Sequence, residues 1–242
     1  MKKILLYSGG MDSWLIDKIW NPDQKIYVNL HTDYSDLEIE RLPEDITILD
    51  FPYLKQFEIP ENGVIPLRNL YLFMLACNIT GFEDVEICLG ATIGDRVHDK
   101  TMPFRDMAEE ILNYLYAPQN CLAERKHIKI NFDYKNYSKS DLIKEYLEKG
   151  GDLETAVKES FSCHHPTEEG EPCWHCKPCF RKWLAFKKCG YPFNEEINQR
   201  MFNYLHKQLI PKVEAGTHNR GTEDNDAMDV YLSMKEEGYE CK

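Results

Sequence analysis

The sequence predicts an α/β protein: a Rossmann-like parallel sheet with helices on both faces, plus a small C-terminal helical subdomain built around a cysteine cluster. Three observations carry this. Short runs rich in β-branched and aromatic residues alternate with amphipathic segments through the first 150 residues. A Ser-Gly-Gly-Met-Asp-Ser turn joins the first run to the first helix. Four cysteines crowd between positions 163 and 179.

The runs at 4–7, 26–30, 46–49, 85–89 and 128–132 read as strands. They are rich in apolar and β-branched residues, as strands between helices are. The segments at 12–20, 36–42, 67–79, 102–116 and 139–149 read as the intervening helices. The third begins after Pro66, a suitable first-turn residue, and stops before Gly81. Strands separated by helices make βαβ units and a parallel sheet. The pattern changes after Gly150-Gly151, where helices are predicted over 180–189 and over 194–209, ahead of Pro211. Residues 214–226 are polar and turn-rich and read as a mobile linker, with a last short helix over 227–237. The expected organisation is a nucleotide-binding domain over 1–150, a zinc-binding helical subdomain over 151–210 and an extension over 211–242, without internal repeats.

The chain has 242 residues and a formal net charge of −12. That balance argues against binding along a nucleic-acid backbone, which needs a basic face. Arg181, Lys182, Lys187 and Lys188 form a local basic patch, read as a solvated helix face. No stretch has the apolar length of a membrane span, and the run at 4–7 is too short for a signal peptide. The expected setting is cytoplasmic and reducing, where cysteines stay thiols. Cys77, Cys88, Cys121, Cys189 and Cys241 then read as small buried residues or free thiols.

Two motifs carry chemistry. In Ser8-Gly9-Gly10-Met11-Asp12-Ser13, glycines permit unusual backbone angles and clear space for an anion. Backbone N–H groups and the positive helix end face that anion, and Ser8 and Ser13 add hydroxyls. Asp12 fits either a bound Mg²⁺ or a helix cap. No Lys follows the glycines, so this is not the G-x-x-x-x-G-K-[ST] loop. A plain capped strand-to-helix turn is the bland alternative. The second motif, Cys163, Cys173, Cys176 and Cys179, reads C-x9-C-x2-C-x2-C, a four-thiolate structural zinc set with no open catalytic position. His164, His165 and His175 are rival ligands.

The first motif resembles the SGGxDS signature of the PP-loop ATP pyrophosphatases, whose fold is adenine nucleotide alpha hydrolase-like. Together with Ser162-Cys163, the C-x2-C-x2-C run, Arg181 and Phe186, the chain resembles the 7-cyano-7-deazaguanine synthases of queuosine-precursor biosynthesis. Val64-Ile65-Pro66-Leu67-Arg68-Asn69 is similar to that family's V-P-x-R-N element. Gly90-Ala91 falls where the family has Gly-Val or Gly-Ala, and Ser138-Lys139-Ser140-Asp141 is similar to its T-K-x-E segment. Two segments depart from it. Thr32-Asp33-Tyr34-Ser35-Asp36 stands for F-D-Y-G-Q, and residues 97–104 keep only Asp99, Pro103 and Phe104 of the substrate-side segment.

The resemblance implies an ATP-dependent carbon–nitrogen ligase that adenylylates 7-carboxy-7-deazaguanine, takes up ammonia and forms the nitrile. Tyr7, Ser8, Gly9, Gly10, Met11, Asp12, Ser13 and Asp33 would bind ATP. Arg68, Asn69, Asp99 and Phe104 would bind the base, with Tyr34 a second stacking candidate. Asp12, Arg68 and Lys139 would be catalytic, with catalytic Mg²⁺ and structural Zn²⁺. The partners are then small molecules, without nucleic acid or membrane, and a homodimer is compatible. Three other readings stay open: an enzyme that stops at the amide or adenylylates another carboxylate, a PP-loop RNA-thiolation enzyme, and a non-catalytic zinc module.

Overall fold

The computed structural model describes residues 1–61, 63–119 and 124–241. Cys121 lies outside them. Five strands form one sheet: β1 (Lys2–Leu6), β2 (Gln24–Asn29), β3 (Ile46–Asp50), β4 (Val85–Leu89) and β5 (Ile128–Asn131). Their spatial order is β3-β2-β1-β4-β5, and every pairing is parallel. The connecting helices are α1 (Met11–Trp20), α2 (Ser35–Ile39), α3 (Arg68–Ile79) and α4 (Met102–Leu115). The sheet and these helices follow the sequence-based reading to within a few residues at each end.

The order reverses direction between β1 and β4. In open parallel sheets ligands bind outside the carboxyl ends of the strands at such a switch point. The main core holds Ile4, Leu6, Ile26, Val28, Ile87 and Ile130, packed against Phe73 and Ala76 of α3 and Leu112 of α4. Leu5, Tyr27 and Cys88, which point the opposite way, are buried too, so both sheet faces are covered. Lys126 is wholly buried beneath α3. Its Nζ donates to the Cys77 carbonyl at 2.7 Å, to Thr80 Oγ1 at 2.6 Å and to the Gly81 carbonyl at 2.8 Å. A cation thus satisfies the orphan carbonyls at the negative end of a helix.

The chain forms two compact units, one of residues 1–91 and 96–135, the other of residues 92–95 and 136–242. This division differs from the sequence-based boundaries at 150 and 210. The second unit takes in the loop after Ala91 and α5 (Lys139–Glu148), whose N-terminus carries a Ser138–Asp141 capping box. It continues through α6 (Leu153–Glu159), α7 (Lys177–Lys188), α8 (Glu195–Tyr204), α9 (Ile210–Glu214) and α10 (Thr222–Glu236). Trp183 and Phe186 of α7 and Phe202 of α8 are fully buried in it. The Trp183 indole donates to Asn198 at 3.1 Å.

Four expectations are corrected here. The seven-residue α6 was not foreseen: it is short and holds only one buried residue, Ala156. Pro211 does not end the α8 region. A π-helical turn over Leu205–Leu209 leads into α9, where Pro211 sits in the first turn and no N–H is missed. Residues 214–226 are not a free linker, because α10 begins at Thr222 and the polar side chains before and within it have partners. His218 Nδ1 lies 2.5 Å from Asp224, and Arg220 donates to the Gly94 carbonyl at 2.7 Å.

The basic residues of α7 do not form a solvated face. Lys182 is buried and donates to the Val157 carbonyl at 2.6 Å and to the Ser160 carbonyl, closing the C-terminus of α6. Burial pushes its pKa down to about 8, opposed by the Cys179 and Cys163 sulfurs. Arg181 grips Glu223 at 2.7 and 3.0 Å. Lys187 lies 3.5 Å from Glu237, and Lys188 2.5 Å from Asp229.

Candidate functional site

The Ser8–Ser13 loop lies at the carboxyl end of β1, on the switch point. Gly9 has φ +71°, a conformation that side chains disfavour. Gly10 is the N-cap of α1, and no side chain caps that end. Asp12, placed inside the first turn, therefore does not act as the cap. The hydroxyls fix the loop. Ser13 Oγ donates to the Gly10 carbonyl at 3.0 Å and accepts from the Ser8 N–H at 3.3 Å, while the Gly10 N–H meets Ser8 Oγ at 3.4 Å. Tyr7, Met11 and Ser13 are buried and Ser8 is exposed.

Gly90, at the end of β4, completes the switch point. A Cβ built there would stand 3.7 Å from Asp12 Cβ and 3.8 Å from the Ser13 nitrogen, so the end of β4 meets the first turn of α1. Lys100 donates to the Gly90 carbonyl at 3.1 Å and brings a cation beside the loop. Arg68 and Asn69 open α3 behind Leu67, a non-glycine residue at φ +62°. Buried Asn69 donates through Nδ2 to the Asp99 carbonyl at 3.2 Å, and its buried Oδ1 has no hydrogen-bond partner. The Arg68 charge acts on Glu38 of α2, whose carboxyl accepts the Tyr27 hydroxyl at 2.9 Å. Burial holds the Glu38 pKa above the usual carboxylate range, against the hydrogen bond from Tyr27 and the Arg68 charge. Burial and the Glu38 charge likewise push the Tyr27 phenol up.

Other candidates lie elsewhere. Asp33 is exposed and paired with Lys55 at 2.6 Å. The Phe104 ring stacks on Phe73 of the core, with centroids 6.2 Å apart. Tyr34 immediately precedes α2 and is partly buried. Lys139, the first residue of α5, belongs to the second unit.

In that unit the sulfurs of Cys163, Cys173, Cys176 and Cys179 all lie within 4.8 Å of one another. Four sulfurs held tetrahedrally around zinc at about 2.3 Å would stand about 3.8 Å apart. Cys173 and Cys179 stand 4.0 Å apart. Backbone N–H groups of His165 and Cys173 point at the Cys163 sulfur at 3.4 and 3.3 Å, and that of His175 at the Cys173 sulfur at 3.4 Å. Such donors favour thiolates. The four sulfurs therefore fit a tetrahedral metal, and the cluster includes none of the three neighbouring histidines. Among the described residues it is the one group that could hold a metal ion.

The family model for the queuosine biosynthesis protein QueC matches residues 42–190. The chain belongs to this family. Among curated proteins, the chain is 24% identical to a 7-cyano-7-deazaguanine synthase of Citrifermentans bemidjiense, over 78% of this chain and 94% of the relative. It is 27% identical to one from Rickettsia peacockii, over 77% and 94%. A Campylobacter jejuni enzyme of the same name is 24% identical, over 78% and 95%. No solved structure matches. The span matched to QueC contains Arg68, Asn69, Asp99, Phe104, Lys139 and all four clustered cysteines; the Ser8–Ser13 loop precedes it. No helix among the described residues is long and apolar enough to cross a membrane.

Sequence reasoning missed Lys100 and the Tyr27–Glu38 pair. Lys100 had a visible signal, since it follows Asp99 in the segment that departs from the family pattern. Tyr27 and Glu38 had none, because a strand and a short helix bring them together.

Proposed function

We propose that this chain is an ATP-dependent ligase that converts 7-carboxy-7-deazaguanine and ammonia to 7-cyano-7-deazaguanine through adenylylated intermediates, with AMP and pyrophosphate as by-products. The observation that carries the reading is the Ser8–Ser13 loop at the sheet's switch point, in a chain whose curated relatives bear the synthase name.

The chemistry follows from what such a loop can do. N–H groups of Gly9, Gly10 and Met11 at the start of α1 bind the β,γ-pyrophosphate, with the Ser8 hydroxyl on its exposed side. Ser13 shapes the loop. Tyr7 lies beneath it, and Asp33 lies beyond β2 on the nucleotide side. The substrate carboxylate attacks the α-phosphate and pyrophosphate leaves. Ammonia then displaces AMP to give the amide, and adenylylation of the amide oxygen lets AMP leave a second time as the nitrile forms. Arg68 offsets developing phosphate charge, and the resemblance implies the same role for Lys139. Asn69 and Asp99 hold polar edges of the base, and Phe104 backs the pocket from the core. Asp12 would hold Mg²⁺, which neutralises phosphate charge when bound. The four cysteines would hold a structural Zn²⁺.

The test incubates the protein with ATP, Mg²⁺, ammonium and 7-carboxy-7-deazaguanine, and follows pyrophosphate and the base by mass spectrometry. Nitrile with two pyrophosphates per base is the expected result. Amide alone corrects the reading to an enzyme that stops one step earlier. Absence of base-dependent pyrophosphate overturns it.

A further inference from the structure

His31, Asp50 and Asn29 form a polar cluster that this mechanism leaves without a task. Asn29 and Asp50 are register partners at the carboxyl ends of β2 and β3. His31 Nε2 lies 2.6 Å from Asp50 Oδ1. The His31 N–H donates to Asn29 Oδ1 at 3.0 Å, and Asn29 Nδ2 donates to the same Asp50 oxygen at 3.0 Å. One asparagine thus fixes both the backbone of the histidine and the carboxylate that holds its ring. His31 sits at φ +56°. That left-handed conformation is unfavourable for a residue with a side chain. The side chains of His31 and Asp50 are 49% and 64% exposed, so the pair returns little stability.

We propose that His31 and Asp50 are a proton-transfer dyad for the amine substrate, with His31 the general base that takes a proton from ammonium. The inference rests on the ligase reading above. Asp50 accepts the proton of Nε2, which leaves the Nδ1 lone pair as the basic site. No described residue is hydrogen-bonded to Nδ1. Asp50 is the charged group against the ring. Lys55, in the turn after β3, is engaged by Asp33 at 2.6 Å and Glu58 at 2.5 Å. β2 lies beside β1 and β3 beside β2, so the dyad stands at the same carboxyl end of the sheet as the phosphate loop, His31 one strand over and Asp50 two, about 5 and about 10 Å to the side.

The reaction needs such a group, because ammonium has no lone pair and cannot attack. Proton transfer to Nδ1 yields ammonia and an imidazolium. The ammonia lone pair forms the C–N bond, the C–O bond to AMP breaks with its electrons on AMP, and the adduct's surplus proton passes to solvent, as does that of the imidazolium.

The full-length protein and its His31→Gln and Asp50→Asn variants test this. Base-dependent exchange of labelled pyrophosphate into ATP reads adenylylation alone. Amide formation over a range of ammonium concentrations and pH reads amine capture. Exchange should stay within about twofold of the parent. Capture at neutral pH should fall by about 100-fold or more in His31→Gln, with partial recovery at alkaline pH where free ammonia is abundant. Asp50→Asn should move the same way by less. Capture with the parent's rate and pH profile overturns the proposal, and so does a parallel fall of exchange and capture. If the parent itself shows no exchange, the ligase reading fails, a pattern distinct from either.

Discussion

Glu38 carries a carboxyl in surroundings too dry for its charge. Its folded pKa is raised by burial, against the Tyr27 hydroxyl and the Arg68 charge. The native state therefore holds this proton more tightly than the unfolded chain, where Glu titrates near about 4.3. The stabilisation is present below that value and is lost as pH rises through the folded pKa. Glu38→Gln keeps an acceptor for Tyr27 and removes the titration. Urea unfolding should show it equal to the parent at acid pH and more stable at neutral pH; a variant that is less stable at neutral pH would show that the Arg68 attraction outweighs burial. This niche was illegible in the sequence, where Glu38 is one acid among several on a short helix. The turn at Ser8 and Gly9 was legible because its geometry lies in the local backbone. His31 and Asp50 were not, because only the β2–β3 register brings them together.

Among the elements, α10 differs most from its sequence signal. Polarity over 214–226 suggests a free linker, yet Glu223 is buried and gripped by Arg181. Its partners lie some forty residues upstream, beyond any local pattern. The loop at Gly94 is shaped to this carboxylate: a Cβ there would come within 2.6 Å of it. Gly94→Ala must displace either the loop or the Arg181–Glu223 pair, and should cost about 1–3 kcal/mol in urea unfolding. The cost should shrink in a Glu223→Ala background, where the obstruction is gone; equal losses in both backgrounds would show that the two positions are uncoupled. The strands, by contrast, were readable to within two residues, because short runs rich in β-branched and apolar residues stand between helical segments.

Across the whole molecule, with a net charge of −12, Arg181, Lys187 and Lys188 of α7 are matched by acids of the C-terminal segment rather than free for a polyanion. The second unit also holds the four-cysteine group that would bind zinc. Removal of zinc by a chelator, or Cys176→Ser, should release about one metal per chain and lower the thermal midpoint; a metal-free chain with unchanged melting would overturn the structural role. The cysteine spacing made this site legible because its ligands are near neighbours in sequence. The two buried lysines that close helix ends left no such trace. Lys126 belongs to the sheet unit and Lys182 to the helical unit, and both are almost wholly inaccessible. An acylating reagent that modifies surface amines at once will reach each of them only when its own unit opens. The protein thus carries one internal clock per unit, and a peptide map of acylation against time separates the opening of the sheet from that of the helices without any added probe.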